Sequence, residues 1–149
     1  MSKIKLKIAT PEKVVLEEEI DQITLPTANG EITVLPNHLP IVTSLKPGEI
    51  LAKKDNADLP LATSGGFVEF AENELTILAD TAERVEEIDE ARAEEGRAKA
   101  SKLLEQQDKS EVDFTAVASK LEKELARLKV SQKYRHLKAS PQIKILKDE

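Results

Sequence analysis

Residues 3–8 (KIKLKI) set Ile4, Leu6 and Ile8 on one side of an extended chain and Lys3, Lys5 and Lys7 on the other. This is the period-two alternation of a strand buried on one face. The outer row of lysines discourages edge-to-edge pairing with other chains, and Pro11 ends the run. Short apolar runs recur at 14–16, 22–25, 31–35, 41–45, 49–53, 59–63, 67–70 and 75–79. Turn signals separate them: Pro26 with Asn29-Gly30, Pro36-Asn37, Pro47-Gly48, Asp55-Asn56, Gly65-Gly66 and Glu72-Asn73. Many short strands without intervening helical periods predict an antiparallel β-sandwich or flattened barrel over residues 1–85.

From about Asp89 the chain turns rich in Ala, Glu, Lys, Leu and Arg and has no proline until Pro141, a helical composition. Ala93, Gly96, Ala100, Leu103 and Leu104 recur at helical spacing as a thin stripe of small residues. After a polar break at 106–112, Asp113 is the expected N-cap of a second helix striped by Phe114, Val117, Leu121, Leu125 and Leu128. The pattern therefore predicts an α+β chain: an N-terminal antiparallel β-sandwich (1–85), then a C-terminal antiparallel helical hairpin with a tail (86–149). Ordering costs roughly 1–2 kcal/mol per residue, and a hairpin lined by Ala and Gly buries too little to offset it. The hairpin must lean on the sandwich or on another protein.

Charge sharpens that expectation. The chain carries 28 acidic and 22 basic residues, a net charge of −6, which argues against general binding to nucleic acid or to an anionic membrane surface. The balance is uneven: residues 1–85 hold 14 acids and 8 bases, whereas 86–149 hold 14 of each. Six carboxylates fall in 86–95, suited to a helix N-terminus, and seven bases with no acid fall in 127–147. That basic run, including Arg127, Lys129, Lys133 and Arg135, extends past the helix end and favours docking to something acidic. No run approaches the ~18–20 apolar residues of a membrane span, and the N-terminus lacks the apolar stretch of a signal peptide, so the chain is expected to be soluble and not exported.

Little in the sequence suggests catalysis. There is no phosphate loop and no GxGxxG turn, and Ser64-Gly65-Gly66 reads as a turn or bulge. With no Cys and only His38 and His136, neither a thiolate zinc site nor a seryl–histidyl pair is suggested. The three Phe, one Tyr and absent Trp leave no aromatic platform, and Phe67 and Phe70 fall on opposite strand faces. One constellation points to a ligand: Asp89 and Arg92, at i and i+3 after Glu83, offer a carboxylate and a guanidinium on one helical face. From spacing alone, an ordinary helix start with an internal ion pair is the favoured reading.

The run GEITVLPNHLPIVTSLKPGEIL from Gly30, with GGFVE at 65–69, ILADTAE at 77–83 and Ile88-Asp89-x-x-Arg92-Ala93, resembles the epsilon subunit of bacterial F-type ATP synthases over essentially the whole chain. The resemblance implies a non-catalytic central-stalk subunit needing no cofactor, peripheral on the cytoplasmic face of the bacterial membrane. Its sandwich would grip the gamma subunit and the c-ring, with Glu31 and the loop Pro36-Asn37-His38 directed toward them. Its hairpin would lie down on the sandwich or extend up into the alpha/beta catalytic hexamer and inhibit ATP hydrolysis. Arg127, Lys129, Lys133 and Arg135 would then meet acidic loops of that hexamer. Some family members bind ATP in the down state, which here implies a site from Glu83, Ile88, Asp89, Arg92, Ala93, Lys99, Lys123 and Arg127. Where those members carry further arginines, Lys99 and Lys123 supply point charges without a bidentate fork, which predicts weaker binding. The competing reading is a free-standing nucleotide-binding module with no rotor role.

Overall fold

The computed structural model describes residues 2–106 and 114–138. Ten strands precede the helices: β1 (Ile4–Ala9), β2 (Val14–Ile20), β3 (Gln22–Thr27), β4 (Gly30–Val34), β5 (Ile41–Leu45), β6 (Gly48–Lys54), β7 (Ala57–Thr63), β8 (Gly66–Ala71), β9 (Glu74–Ala79) and β10 (Ala82–Arg84). They hydrogen-bond in the order β10-β7-β6-β3-β5-β8-β9-β1-β2, with β4 paired to β3. The β3–β5 link is a single register pair, Thr27 with Leu45. There the sheet folds over, and its two halves enclose an apolar core, aliphatic except for Phe70, that includes Ile4, Leu6, Ile8, Ile23, Leu25, Ile50, Leu61, Leu75 and Ile77.

The alternation in the first strand is realised as read: Ile4, Leu6 and Ile8 are buried and Lys5 and Lys7 are exposed. Two features differ from the sequence expectation. The sandwich is not wholly antiparallel, because β1 pairs in parallel with β9. And β2 runs on through Glu17-Glu18-Glu19, three acids that a propensity argument stops at, because Lys7 and Lys5 stand opposite Glu17 and Glu19. Opposed charges across a strand pair make an acidic strand tolerable.

The turns are built from the residues that signalled them. Asn37, Asp55, Asn56, Glu72 and Asn73 all adopt positive φ, a region that Asn and Asp tolerate better than most side chains. Gly66 (φ +146) is the tightest position, since a Cβ there would lie 2.2 Å from the Leu78 carbonyl oxygen.

A 3₁₀ turn (Val85–Glu87) leads into α1 (Glu90–Glu105), which packs along α2 (Phe114–Lys133) and is followed by the short α3 (Arg135–Lys138). The buried face of the hairpin is not the expected stripe. Ala93, Ala100 and Leu128 are buried, but Leu103, Phe114 and Leu125 are exposed, and the inward residues of α2 include Glu124, Ala126, Val130 and Ser131. The reason lies in what α2 faces. Its last turns meet the sandwich as well as α1, and Val130 and Tyr134 join Ala62, Val85 and Ile88 in a second apolar cluster. The expected N-cap Asp113 and the tail beyond Pro141 lie outside the described residues.

Replacing Gly66 with alanine should destabilise the sandwich by about 2–4 kcal/mol through positive-φ strain and collision with backbone. A thermal unfolding midpoint within about one degree of wild type would contradict the geometry.

Candidate functional site

The conspicuous motif, residues 88–93, works first as a helix start. Asp89 is the N-cap of α1, its carboxylate accepting a hydrogen bond from the Arg92 backbone N–H at 3.1 Å, which satisfies one of the orphan donors of the first turn. Ile88 is buried in the second apolar cluster, and Ala93 is fully buried. Asp89 and Arg92 therefore do not pair side chain to side chain. The carboxylate turns to the backbone, which leaves the guanidinium to other partners.

That guanidinium lines a cavity of about 490 Å³ between the two helices and the strand edge. Glu83, Arg92, Lys99, Lys123 and Arg127 all line it, together with Glu95, Gly96, Lys120 and Glu124. Five of the eight residues expected to hold a nucleotide thus surround one space, whereas Ile88, Asp89 and Ala93 shape the helix beneath it. The close approach of the helices depends on Gly96, where a Cβ would lie 3.0 Å from the Glu124 side chain. Glu124 is buried, so its charge needs a cation at hand, and Arg127 Nη1 donates to it at 2.9 Å. Arg127 also reaches β10: Nη2 donates to Glu83 Oε2 at 3.2 Å, and Nε stands 2.8 Å from Glu83 Oε1. The side chains of Arg127 and Glu83 are only 16% and 26% exposed, so this pair couples the hairpin to the sandwich with little solvent screening.

The basic run from the end of α2 into α3 continues the same engagement. Arg135 Nη2 and Ser131 Oγ both donate to the Glu90 carboxylate, at 2.6 and 3.0 Å. Lys133 Nζ donates to Glu49 of β6 at 2.9 Å, and the Tyr134 hydroxyl donates to the other oxygen of that carboxylate. Burial, then the Glu49 hydrogen bond, pushes the Tyr134 hydroxyl up to about 12, while Glu49 raises the Lys133 ammonium above its usual range. The cations expected to meet an acidic partner are thus met by carboxylates of their own chain. Lys129 is the exception, exposed and without an ion pair among the described residues.

At the other end of the sandwich, the β4–β5 loop is held in a fixed shape. The Asn37 backbone N–H donates to Asn73 Oδ1 at 2.6 Å, and Asn73 Nδ2 returns a bond to Asn37 Oδ1 at 3.0 Å. His38 donates from Nδ1 to the Leu39 carbonyl at 2.6 Å and sets its ring edge-on to Phe70, 5.9 Å between centroids. Pro36 is half-buried and Glu31 exposed, while Leu35 and Leu39 face solvent. Nearby, Val42, Phe67 and Leu78 are 74%, 64% and 61% exposed. Phe67 stands between Ser44 and Leu78 in register, so neighbouring strands present these apolar side chains together. The motif reading missed this face. Its one signal was that Val42, Phe67 and Leu78 each lie two residues from a polar residue of the same strand, Ser44, Glu69 and Thr76, and so share its face.

Residues 3–85 match the beta-sandwich domain, and residues 86–132 the long alpha-helix domain, of the ATP synthase delta/epsilon chain. The chain is 45% identical over 129 residues to the ATP synthase epsilon chain of Chloroflexus aggregans, covering 87% of this chain and 92% of that one. It is 43% identical over 129 residues to the epsilon chain of Herpetosiphon aurantiacus, covering 87% and 94%. A chain in the Euglena gracilis mitochondrial ATP synthase (OSCP/F1/c-ring) superposes with a TM-score of 0.71 over 84% of this chain and 80% of that one, at 23% identity, a likeness of fold.

Because the chain has one tyrosine and no tryptophan, phenolate absorbance reports on Tyr134 alone. Its midpoint should lie near pH 12 in the wild type and fall part of the way toward the ordinary value of about 10 in Glu49→Gln, since burial, the larger cause, remains. A hydroxyl raised on docking contributes stability that is full below the unfolded value and is lost as pH climbs from about 10 to 12. An unchanged midpoint in the variant would mean that Glu49 does not hold the hydroxyl.

Proposed function

The chain belongs to the ATP synthase delta/epsilon family, and from that premise we propose that it is a non-catalytic central-stalk subunit whose hairpin acts as a nucleotide-responsive brake on ATP hydrolysis. One observation carries this reading: the basic face of α2 and the start of α3 is docked on the sandwich carboxylates Glu49 and Glu83 and on Glu90 at the α1 start. A face held by charge-assisted bonds to exchangeable acidic partners can be transferred to acidic loops of the alpha/beta hexamer without loss of contact type. The docked form is the permissive one. The released form, presenting Arg127, Lys129, Lys133 and Arg135, is the inhibitor.

The sandwich supplies the attachment. Val42, Phe67 and Leu78, with Leu35 and Leu39 on the clamped loop, form an apolar face of the kind that marks a protein interface. In this role it meets the gamma subunit and the c-ring, with Glu31 and Pro36-Asn37-His38 at its edge. No helix of the described residues is long and apolar enough to cross a membrane, and the subunit is peripheral, on the cytoplasmic face of the bacterial membrane. A free-standing nucleotide-binding module would have no use for such a face.

The cavity beneath Arg92 takes ATP as a regulatory ligand. It exists only while α1 and α2 are paired and Glu83 is within reach, so ATP binds the docked form by preference and shifts the population toward it. Lysine at 99 and 123 gives weaker phosphate recognition than arginine would.

Two outcomes are expected. A chain ending at residue 85 should still assemble with gamma and the c-ring and should raise ATP hydrolysis by the complex, and unchanged hydrolysis would remove the brake from the account. ATP should bind the isolated chain saturably in calorimetry, with Arg92→Ala abolishing the signal. No heat up to several millimolar ATP would remove the nucleotide response and leave the stalk role.

A further inference from the structure

Of the two carboxylates of α2, Glu122 is exposed and Glu124 is buried, its side chain only 6% exposed. Glu124 lies against α1 at Gly96, where a Cβ would stand 3.0 Å from its carboxyl carbon. The same helix pair buries Ala93, Ala100, Ala126 and Leu128, side chains with nothing to offer a charge. Lys99 on the facing helix is engaged by Glu95 at 3.0 Å. Among the described residues the ion pair of Glu124 is with Arg127, at 2.9 Å. That guanidinium is shared, since its Nε and Nη2 go to Glu83 of β10. The cation that ties the hairpin to the sandwich is therefore also the counterion that lets the two helices close over an acid.

We propose that Glu124 couples undocking of the hairpin to separation of its helices: when Arg127 passes to an acid outside the chain, the stranded carboxylate drives α2 off α1. This rests on the switch reading above and adds why release goes further than the lifting of an intact hairpin. A buried carboxylate deprived of its cation is strongly unfavourable, and at this position water reaches it only if the helices part. The interface given up is lined by small side chains, so little apolar area opposes the separation. A small apolar residue at 124 would leave the helices closed after Arg127 had gone, and the hairpin would move as a block. Gly96 is the other half of the device, because the missing Cβ makes the room in which the acid lies.

The chain has no cysteine, so spin labels on Ala98→Cys and Glu122→Cys report helix pairing as a pulsed-EPR distance in the full chain. Both positions are exposed, and they stand level in the register that sets Gly96 at Glu124 and Glu90 at Ser131. One short distance is expected in the otherwise wild-type chain. Arg127→Ala should lose most of that population to longer distances. Adding Glu124→Gln, which keeps the shape and removes the charge, should return it. Glu83→Gln should keep the short distance, since Arg127 stays with Glu124. Retention of the short distance in Arg127→Ala would overturn the coupling, because another cation of the wall would then be serving Glu124. So would failure of Glu124→Gln to restore it, its loss in Glu83→Gln, or its absence from the otherwise wild-type chain. The brake on hydrolysis is read in the assembled complex and stands or falls separately.

Discussion

The end of α2 is held to the sandwich by an apolar patch ringed with carboxylates, and the state of the hairpin depends on that contact. Burying Val130 and Tyr134 against Ala62, Val85 and Ile88 is worth about 1.5–3 kcal/mol per large side chain. The ion pairs differ by exposure. Lys133 and Arg135 are more than half exposed, so each of their pairs contributes at most about 1 kcal/mol. The Arg127–Glu83–Glu124 group is shielded, and breaking it would leave the buried Glu124 uncompensated, which costs more than a surface pair returns. The sum is several kcal/mol, less the entropy of ordering the helices. That is a margin a ligand or a partner of ordinary affinity can move, which is what a switch requires and what a permanently packed domain would exceed.

The same side chains serve both ends of the proposed switch. Glu49 and Glu90 on the chain itself occupy Lys133, Tyr134, Ser131 and Arg135, so an acidic partner must replace them one for one. Under the proposed role the free-energy difference between self-docking and partner-docking is then small by construction, and nucleotide in the cavity adds weight to one side. At the far end of the sandwich the logic is reversed. The Asn37–Asn73 amide pair and the His38–Phe70 contact fix the loop before any partner arrives, and a fixed loop loses little entropy on binding. In the proposed role, one end stays attached and the other lets go.

The sandwich was legible because period-two alternation and turn chemistry are local signals. Lys3 to Ile8, Asn29-Gly30, Pro47-Gly48 and Glu72-Asn73 each announce their conformation within a few residues. What was not legible depended on distant partners. The acidic stretch of β2 is strand because lysines of β1 stand opposite it, and Glu124 and Ser131 rather than Phe114 and Leu125 face inward because they meet Gly96 and Glu90 of α1. Helical spacing brings Arg127 within reach of Glu124 three residues before it, but does not show that the pair is buried and shared with Glu83 of β10. The site divides in the same way. The motif at 88–93 was visible as a motif, but that Asp89 caps the helix, and that Lys120 stands beside Lys123 in the cavity wall, follows only once the hairpin is docked.

The central claim, that α2 lies on its own sandwich, is tested most directly by nuclear Overhauser contacts from the single tyrosine of the isolated chain. Cross-peaks from the Tyr134 ring to methyl groups of Ala62, Val85 and Ile88 are the predicted result. A Tyr134 ring at unstructured shifts, with no contact to any sandwich methyl while the sandwich itself remains folded, would contradict it.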